Sequence, residues 1–321
     1  MTAGNAWERY ERDRPNYGRR IFWLGFSVVA AIALYAGAWF WFANRLEGEA
    51  RQVVSETRSR CLNLRAGGFP FRIGLFCDAT AWTQNGVEVS AGALRSAAQV
   101  YDPTLIVGEI DGPAKLALPG LPPLDVNWDV LKASAKLAQP LPSRASTEAR
   151  SVQVTGPGGA ILSAEKAQSH MRVRDADLDL AANFTKLTLA GDLASGGTLP
   201  PVDGEAQATL TGAARNGFTG SLRNQSGTLT KLEISDGTTA ALQLSGPFSV
   251  NGEGLLSGQF AISLKNTAKL GQVMTQALPG LGARVAPVLA SIGEVSNVPL
   301  TVRDGNASIL FFQLGRVPPL R

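Results

Sequence analysis

Hydrophobic positions follow two different regimes along the chain. From 21 to 43 the sequence reads IFWLGFSVVAAIALYAGAWFWFA, without a single charge and without a polar face. As a helix this run is about 35 Å long, enough to cross a hydrocarbon core of about 30 Å. Phe22 and Trp23 stand at one end and Trp39, Phe40, Trp41 and Phe42 at the other, as interfacial aromatics do. The run predicts one transmembrane helix. Ala36-Gly37-Ala38 resembles a signal-peptide cleavage site. The long leader and the apolarity continuing through Phe42 favour an uncleaved anchor.

From Gly67 onward the period is two. In ADLDLAANF, Leu178, Leu180, Ala182 and Phe184 share one face, and Asp177, Asp179 and Asn183 the other. Leu242, Leu244, Gly246, Phe248 and Val250 form another such set, as do Phe260, Ile262 and Leu264, and Val298, Leu300 and Val302. Strands with one buried and one wetter face belong to antiparallel sheets. Turn signals recur between them at Asp111-Gly112, 156–159, Asn216-Gly217, Asp236-Gly237, Asn251-Gly252 and Asp304-Gly305. Short helices are expected at 267–278 and 283–292.

The expected fold class is therefore mainly β: a single N-terminal transmembrane helix, then a large antiparallel, trough-like sheet with a few short helices. Roughly 14 to 18 strands about 4.8 Å apart would extend some 65–85 Å, and so wide a sheet curls, splits or closes. The expected divisions are 1–20 as a cytoplasmic tail, 21–43 as the anchor, 44–66 as a membrane-proximal helix or stalk, and 67–321 as a periplasmic β domain. The basic residues flanking the anchor differ little in number, so orientation rests on the Arg19-Arg20 pair and the short leader.

Composition narrows the chemistry. Charged residues are 17% of the chain and the net charge is +4, and no basic cluster is interleaved with aromatics, so nucleic acid is not an expected partner. There is one His and there are two Cys. Cys61, Cys77 and His170 follow no zinc-ligand spacing, and outside the cytosol the Cys pair reads as a disulfide. No nucleophile elbow or phosphate loop is present, and His170 reads as an exposed or strand residue. Asp175, Asp177 and Asp179 alternate onto one face, either as a calcium cradle or as a solvated face beside Arg172 and Arg174. No catalytic residue, metal site or cofactor is expected.

The stretch GGFPFRIGLFC, 67–77, places Pro between two Phe residues and one Arg in an apolar run. Gly68, Phe69, Pro70, Phe71 and Arg72 form its motif. Period-two reading makes it the first strand, at an edge, with Phe69, Phe71, Ile73, Leu75 and Cys77 on one face. Pro70 lacks an N–H and suits an edge. Arg72 falls on the wetter face, where it pairs with an acid or caps carbonyls; if turned into a trough, it would hold a lipid phosphate.

That stretch, in the context CLNLRAGGFPFRIGLFCDAT, and the run from GTLTKLEISDG to LGRVPPLR resemble an uncharacterised bacterial envelope family, domain of unknown function 2125. The later pattern is more weakly similar to AsmA-like envelope proteins. Those are held in the inner membrane by one N-terminal helix, carry a curved periplasmic sheet with an apolar interior, and are linked to phospholipid movement. The resemblance implies no catalytic residues. The expected role is a membrane-anchored binding protein for lipid or another apolar envelope component. The alternatives are an assembly factor that binds envelope proteins with a closed core, and a hydrolase of envelope polymers.

Overall fold

The computed structural model describes residues 17–84, 86–189, 199–215, 218–277, 283, 286, 287, 289–291, 293–309 and 312–320. One helix, α1 (Tyr17–Glu56), carries the apolar run straight into the polar segment that follows. It is long and apolar enough to cross a membrane. The membrane-proximal segment is thus a continuation of the same helix to Glu56, and the sheet begins at Ser59 rather than at Gly67.

All strands join one open antiparallel sheet of 20 strands. Its N-terminal part is simpler than that number suggests. β1 (Ser59–Leu62) and β2 (Arg65–Gly67) are two halves of one pass, as are β3 (Arg72–Cys77) and β4 (Ala79–Gln84), β5 (Val87–Ala91) and β6 (Leu94–Gln99), β7 (Asp102–Ile110) and β8 (Ala114–Ala117), and β9 (Leu124–Asn127) and β10 (Val130–Lys136). The register shows it: Gln84 faces Val87 between β4 and β5, and Arg72 faces Gln99 between β3 and β6 in the same frame. The passes bend along a line through Asp78, Gly92, Gly112 and Asp129. Asp111-Gly112, expected as a hairpin turn, lies on this line within a pass, where a Cβ on Gly112 would touch the Trp128 ring. Arg95–Asp111 and Arg65–Asp78 ion pairs and the Trp128 indole, which donates to the Ile110 carbonyl, lace the same line.

Beyond it the strands are single passes: β11 (Arg144–Gly156), β12 (Gly159–Arg174), β13 (Asp177–Leu189), β14 (Leu199–Leu210), β15 (Ser226–Ser235), β16 (Ala241–Val250), β17 (Leu256–Lys265), β18 (Val295–Arg303), β19 (Asn306–Ile309) and β20 (Phe312–Arg316). Five bent passes and these ten make fifteen, within the expected range. Each pairs with its sequence neighbour. The expected turns at 156–159, Asp236-Gly237, Asn251-Gly252 and Asp304-Gly305 join strands. Asn216-Gly217 lies outside the described residues.

The expected helix at 267–278 is α2 (Thr267–Ala277). It starts where Asn266 accepts from the Lys269 N–H, and it packs against β14. The second expected helix, at 283–292, is described only in part, and its described residues 283, 286, 287 and 289–291 are helical. Burial concentrates at two places. Trp39 and Ala43 of α1 enclose Ile73, with Leu46 and Ala66 beside them. Leu178, Leu210 and Ala213 form the other cluster, where Phe218 and Leu222 of the β14–β15 connection cover one end of the sheet.

Candidate functional site: an apolar sheet face and a turn clasped to the helix

Residues directly opposed in an antiparallel ladder share a face, so rows can be traced across the sheet. One row runs Ile73, Ala98, Ile106, Ala135, Ala145, Met171, Leu180, Ala208, Leu229 and Gly246. It crosses ten strands, a path of about 43 Å at about 4.8 Å each, and contains no polar side chain. A parallel row runs Thr147, Ser169, Ala182, Ala206, Leu232, Leu244, Ile262 and Val298. A third runs Ala149, Ala167, Phe184, Gly204, Ile234, Leu242, Leu264 and Val295. Here the Phe184 ring lies over Gly204, where a Cβ would fall 2.2 Å from the ring. Leu180, Leu232, Leu244 and Ile262 are only half-buried. Ala145, Met171, Leu180, Ala182, Ala206 and Ala208 line an apolar hollow of about 380 Å³.

The opposite face carries the charged side chains, with Phe76, Ala97 and Val107 among them near its helix end. Arg95, Glu109, Lys132, Glu148, Gln168, Asn183, Glu205, Glu233, Gln243 and Ser263 form one cross-strand row. The row is bonded within itself and to its neighbour: Gln168 donates to Glu148, Gln243 donates to Glu233, and Lys231 of the adjacent row sits 2.7 Å from Glu205. The Lys231 ammonium and the Gln207 amide hold the Glu205 carboxyl below its ordinary range. A groove of about 690 Å³ opens on this face, lined by Arg72, Phe76, Arg95, Lys132, Glu148 and His170 among others. His170 is exposed, with Nδ1 2.9 Å from the Ser146 hydroxyl.

The acidic trio divides. Asp175 sits in the β12–β13 turn with φ 56° rather than on the strand. Asp177 accepts from the Gly212 N–H. Asp179 is held by Arg172, Arg174 and the Thr209 hydroxyl, which keep its carboxyl below the usual range, Arg172 most of all. Among the described residues no group of three His, Cys, Asp or Glu side chains is placed to hold a metal ion.

GGFPFRIGLFC is not an edge strand. Residues 69–71 form a turn, the strand starts at Arg72, and β3 is flanked by β2 and β6. The turn needs Gly68 at φ 115°, where a Cβ would fall 2.9 Å from the Arg72 carbonyl oxygen. What the alternating pattern missed is that both Phe residues belong to the turn. Phe69 stacks on Phe40 at 5.6 Å and meets Trp39 edge-on at 5.5 Å. The Tyr35 hydroxyl donates to the Pro70 carbonyl, and the Trp39 indole N–H to the Arg72 carbonyl at 3.1 Å. The signal was present in the helix: Tyr35, Trp39, Ala43 and Leu46 fall on one side of α1. Cys61 and Cys77 are joined, tying β1 to β3 across the bend line.

Arg72 lies on the polar face, opposite to Ile73, and is exposed. It therefore cannot line the apolar rows. Among the described residues no ion pair holds its guanidinium, so the acid, one of the two partners expected on that face, is not there.

The profile of a family described as uncharacterised proteins conserved in bacteria, DUF2125, matches residues 39–318. Comparison with curated proteins and with solved structures returns no match, so the AsmA-like similarity is not shown. The match begins at Trp39 and takes in the clasped turn, the disulfide and all twenty strands, and the chain belongs to the DUF2125 family.

Proposed function

We propose that this is an inner-membrane-anchored protein, N-terminus cytoplasmic and sheet periplasmic, that binds the acyl part of a lipid or a similar apolar envelope component across its sheet. It acts as a binding protein and not as an enzyme. One observation carries the reading: the apolar rows cross eight to ten strands, and Leu180, Leu232, Leu244 and Ile262 within them are only half-buried. A sheet buries its apolar face against something, and large exposed apolar patches mark interaction sites. The row path of about 43 Å exceeds the roughly 15 Å of hydrocarbon in one leaflet, so whole acyl chains fit.

The test is mass spectrometry of organic extracts from the purified full chain, against a membrane protein with one helix and a closed domain. Lipid retained in stoichiometric amount supports the proposal. Retention equal to that of the control overturns it. A protein partner crosslinked in intact cells, without bound lipid, would favour the assembly-factor reading, for which the open β20 edge is the attachment point.

A further inference from the structure

We infer that the sheet has a second membrane contact besides α1: the 68–71 turn and the adjacent Val100-Tyr101 turn dip into the leaflet at the C-terminal end of α1. The occupant of this surface is the hydrocarbon and headgroup boundary of the same bilayer that the helix crosses.

The argument starts from depth. A hydrocarbon core of about 30 Å beginning at Ile21 takes about 20 helical residues and ends near Phe40. Tyr35 then lies about 8 Å inside that boundary at 1.5 Å per residue. Pro70 is bonded to Tyr35 and Phe69 is packed on Phe40 and Trp39. A turn fixed to those positions cannot stay in water while the helix spans. The side chains that point away from α1 fit the same depth. Phe71 is 71% exposed and Tyr101 79% exposed. The two turns are neighbours, since the Val100 N–H donates to the Phe71 carbonyl at 3.0 Å.

The backbone provides a second, independent observation. Irregular backbone at membrane depth is tolerated only where its polar groups are satisfied by protein. In this turn the carbonyls of Gly68, Pro70, Phe71 and Arg72 accept from the Arg72 N–H, the Tyr35 hydroxyl, the Val100 N–H and the Trp39 indole, respectively. Two of those donors are side chains of the otherwise uncharged helix run. Arg72 and Asp102, each one residue past a tip, limit immersion to the headgroup boundary, where long cationic side chains reach outward. The first apolar row begins at Ile73, directly behind the turn, so this contact sets the start of that row at the leaflet surface.

The test uses the full chain, disulfide intact, reconstituted in phosphatidylethanolamine and phosphatidylglycerol vesicles. Variants Phe71→Cys and Tyr101→Cys, each adding one free thiol beside the intact Cys61–Cys77 disulfide, carry an environment-sensitive fluorophore. Leu121→Cys, in the 118–123 connection at the other end of the passes and 59% exposed, is the control. Acyl-chain doxyl lipids should quench positions 71 and 101 but not 121. Aqueous iodide should quench 71 and 101 about tenfold less than 121, because the ion is excluded from hydrocarbon. Iodide quenching at either 71 or 101 equal to that at 121 overturns the inference. So does shielding from iodide without doxyl quenching, which would place protein over the turns. If Phe71→Cys does not fold, Tyr101→Cys alone decides, since its side chain lies free of the sheet. The readout is independent of whether the sheet retains lipid, so this inference and the proposed function fail separately.

Discussion

Truncating two leucines of the same sheet face separates an open face from a covered one. Leu178 is 0% exposed and packs with Leu210 and Ala213 under the β14–β15 connection. Leu178→Ala removes buried methyl groups and leaves a cavity that the surrounding strands cannot close, which costs about 3–5 kcal/mol. Leu232 lies in an apolar row between Ala206 and Leu244 and is only half-buried. Leu232→Ala opens no cavity and loses only part of a leucine's transfer free energy, about 1 kcal/mol. In a folded unit of this size each kcal/mol moves the midpoint by about 2–4 °C. The expected drops are therefore roughly 6–20 °C for Leu178→Ala and roughly 2–4 °C for Leu232→Ala. The assay is thermal unfolding of the delipidated full chain, all variants in one detergent, followed by circular dichroism. Ala182→Phe, which fills space on the same open face, should cost less than the 1–3 kcal/mol typical of overpacking. If Leu232→Ala costs as much as Leu178→Ala, a second layer covers the rows. The open-face argument for lipid binding then fails.

Three further outcomes follow from local geometry. A Cβ on Gly74 would fall 1.7 Å from the Ser96 carbonyl oxygen, whereas one on Gly158 meets nothing within 4 Å. Gly74→Ala should separate β3 from β6 and leave little folded protein by gel filtration, while Gly158→Ala should elute and melt as the parent does. Replacing both Cys61 and Cys77 by Ser, which opens a link spanning 16 residues, should cost roughly 3 kcal/mol, with hydrogen exchange accelerating first in β1 and β2; uniform acceleration would refute a local clasp. Asp236 is 10% exposed and accepts N–H bonds from Thr238, Thr239 and Ala240 beside Lys269. Burial alone would raise its carboxyl, but Lys269 and the Thr238 and Ala240 groups outweigh burial and hold it well below its ordinary range. Its contribution is thus complete above the unfolded value of about 3.9 and is lost as pH falls from there toward the folded value. Asp236→Asn should flatten the decline of the unfolding midpoint below about pH 4, and an unchanged acid slope would show that this carboxylate does not act as described.

Several elements were legible in the residues themselves. The uncharged run at 21–43 specifies a helix because every backbone group must be satisfied within it and no polar face interrupts it. Period-two alternation specifies which side of each strand is apolar, and Leu178, Leu180, Ala182 and Phe184 do share the face they were assigned. Asp304-Gly305 makes its hairpin with both residues at positive φ, a preference local to the turn. GGFPFR reads as a strand because alternation is a local pattern, whereas the contacts that hold Phe69 and Pro70 come from Tyr35, Trp39 and Phe40, far back in the helix. The bend line was equally hidden: Asp111-Gly112 looks like any tight turn, and only cross-strand register shows that the pass continues through it.

The sequence alone determined one helix long and apolar enough to span a membrane, a one-sided antiparallel sheet and a cysteine pair free to join, since each depends on local periodicity or on composition. Only the tertiary structure decided that one apolar row runs unbroken from the helix outward, that Arg72 faces away from it, and that a short turn is pinned to α1. Those depend on pairing between segments distant in the chain, which register and packing set together and no single stretch of sequence contains.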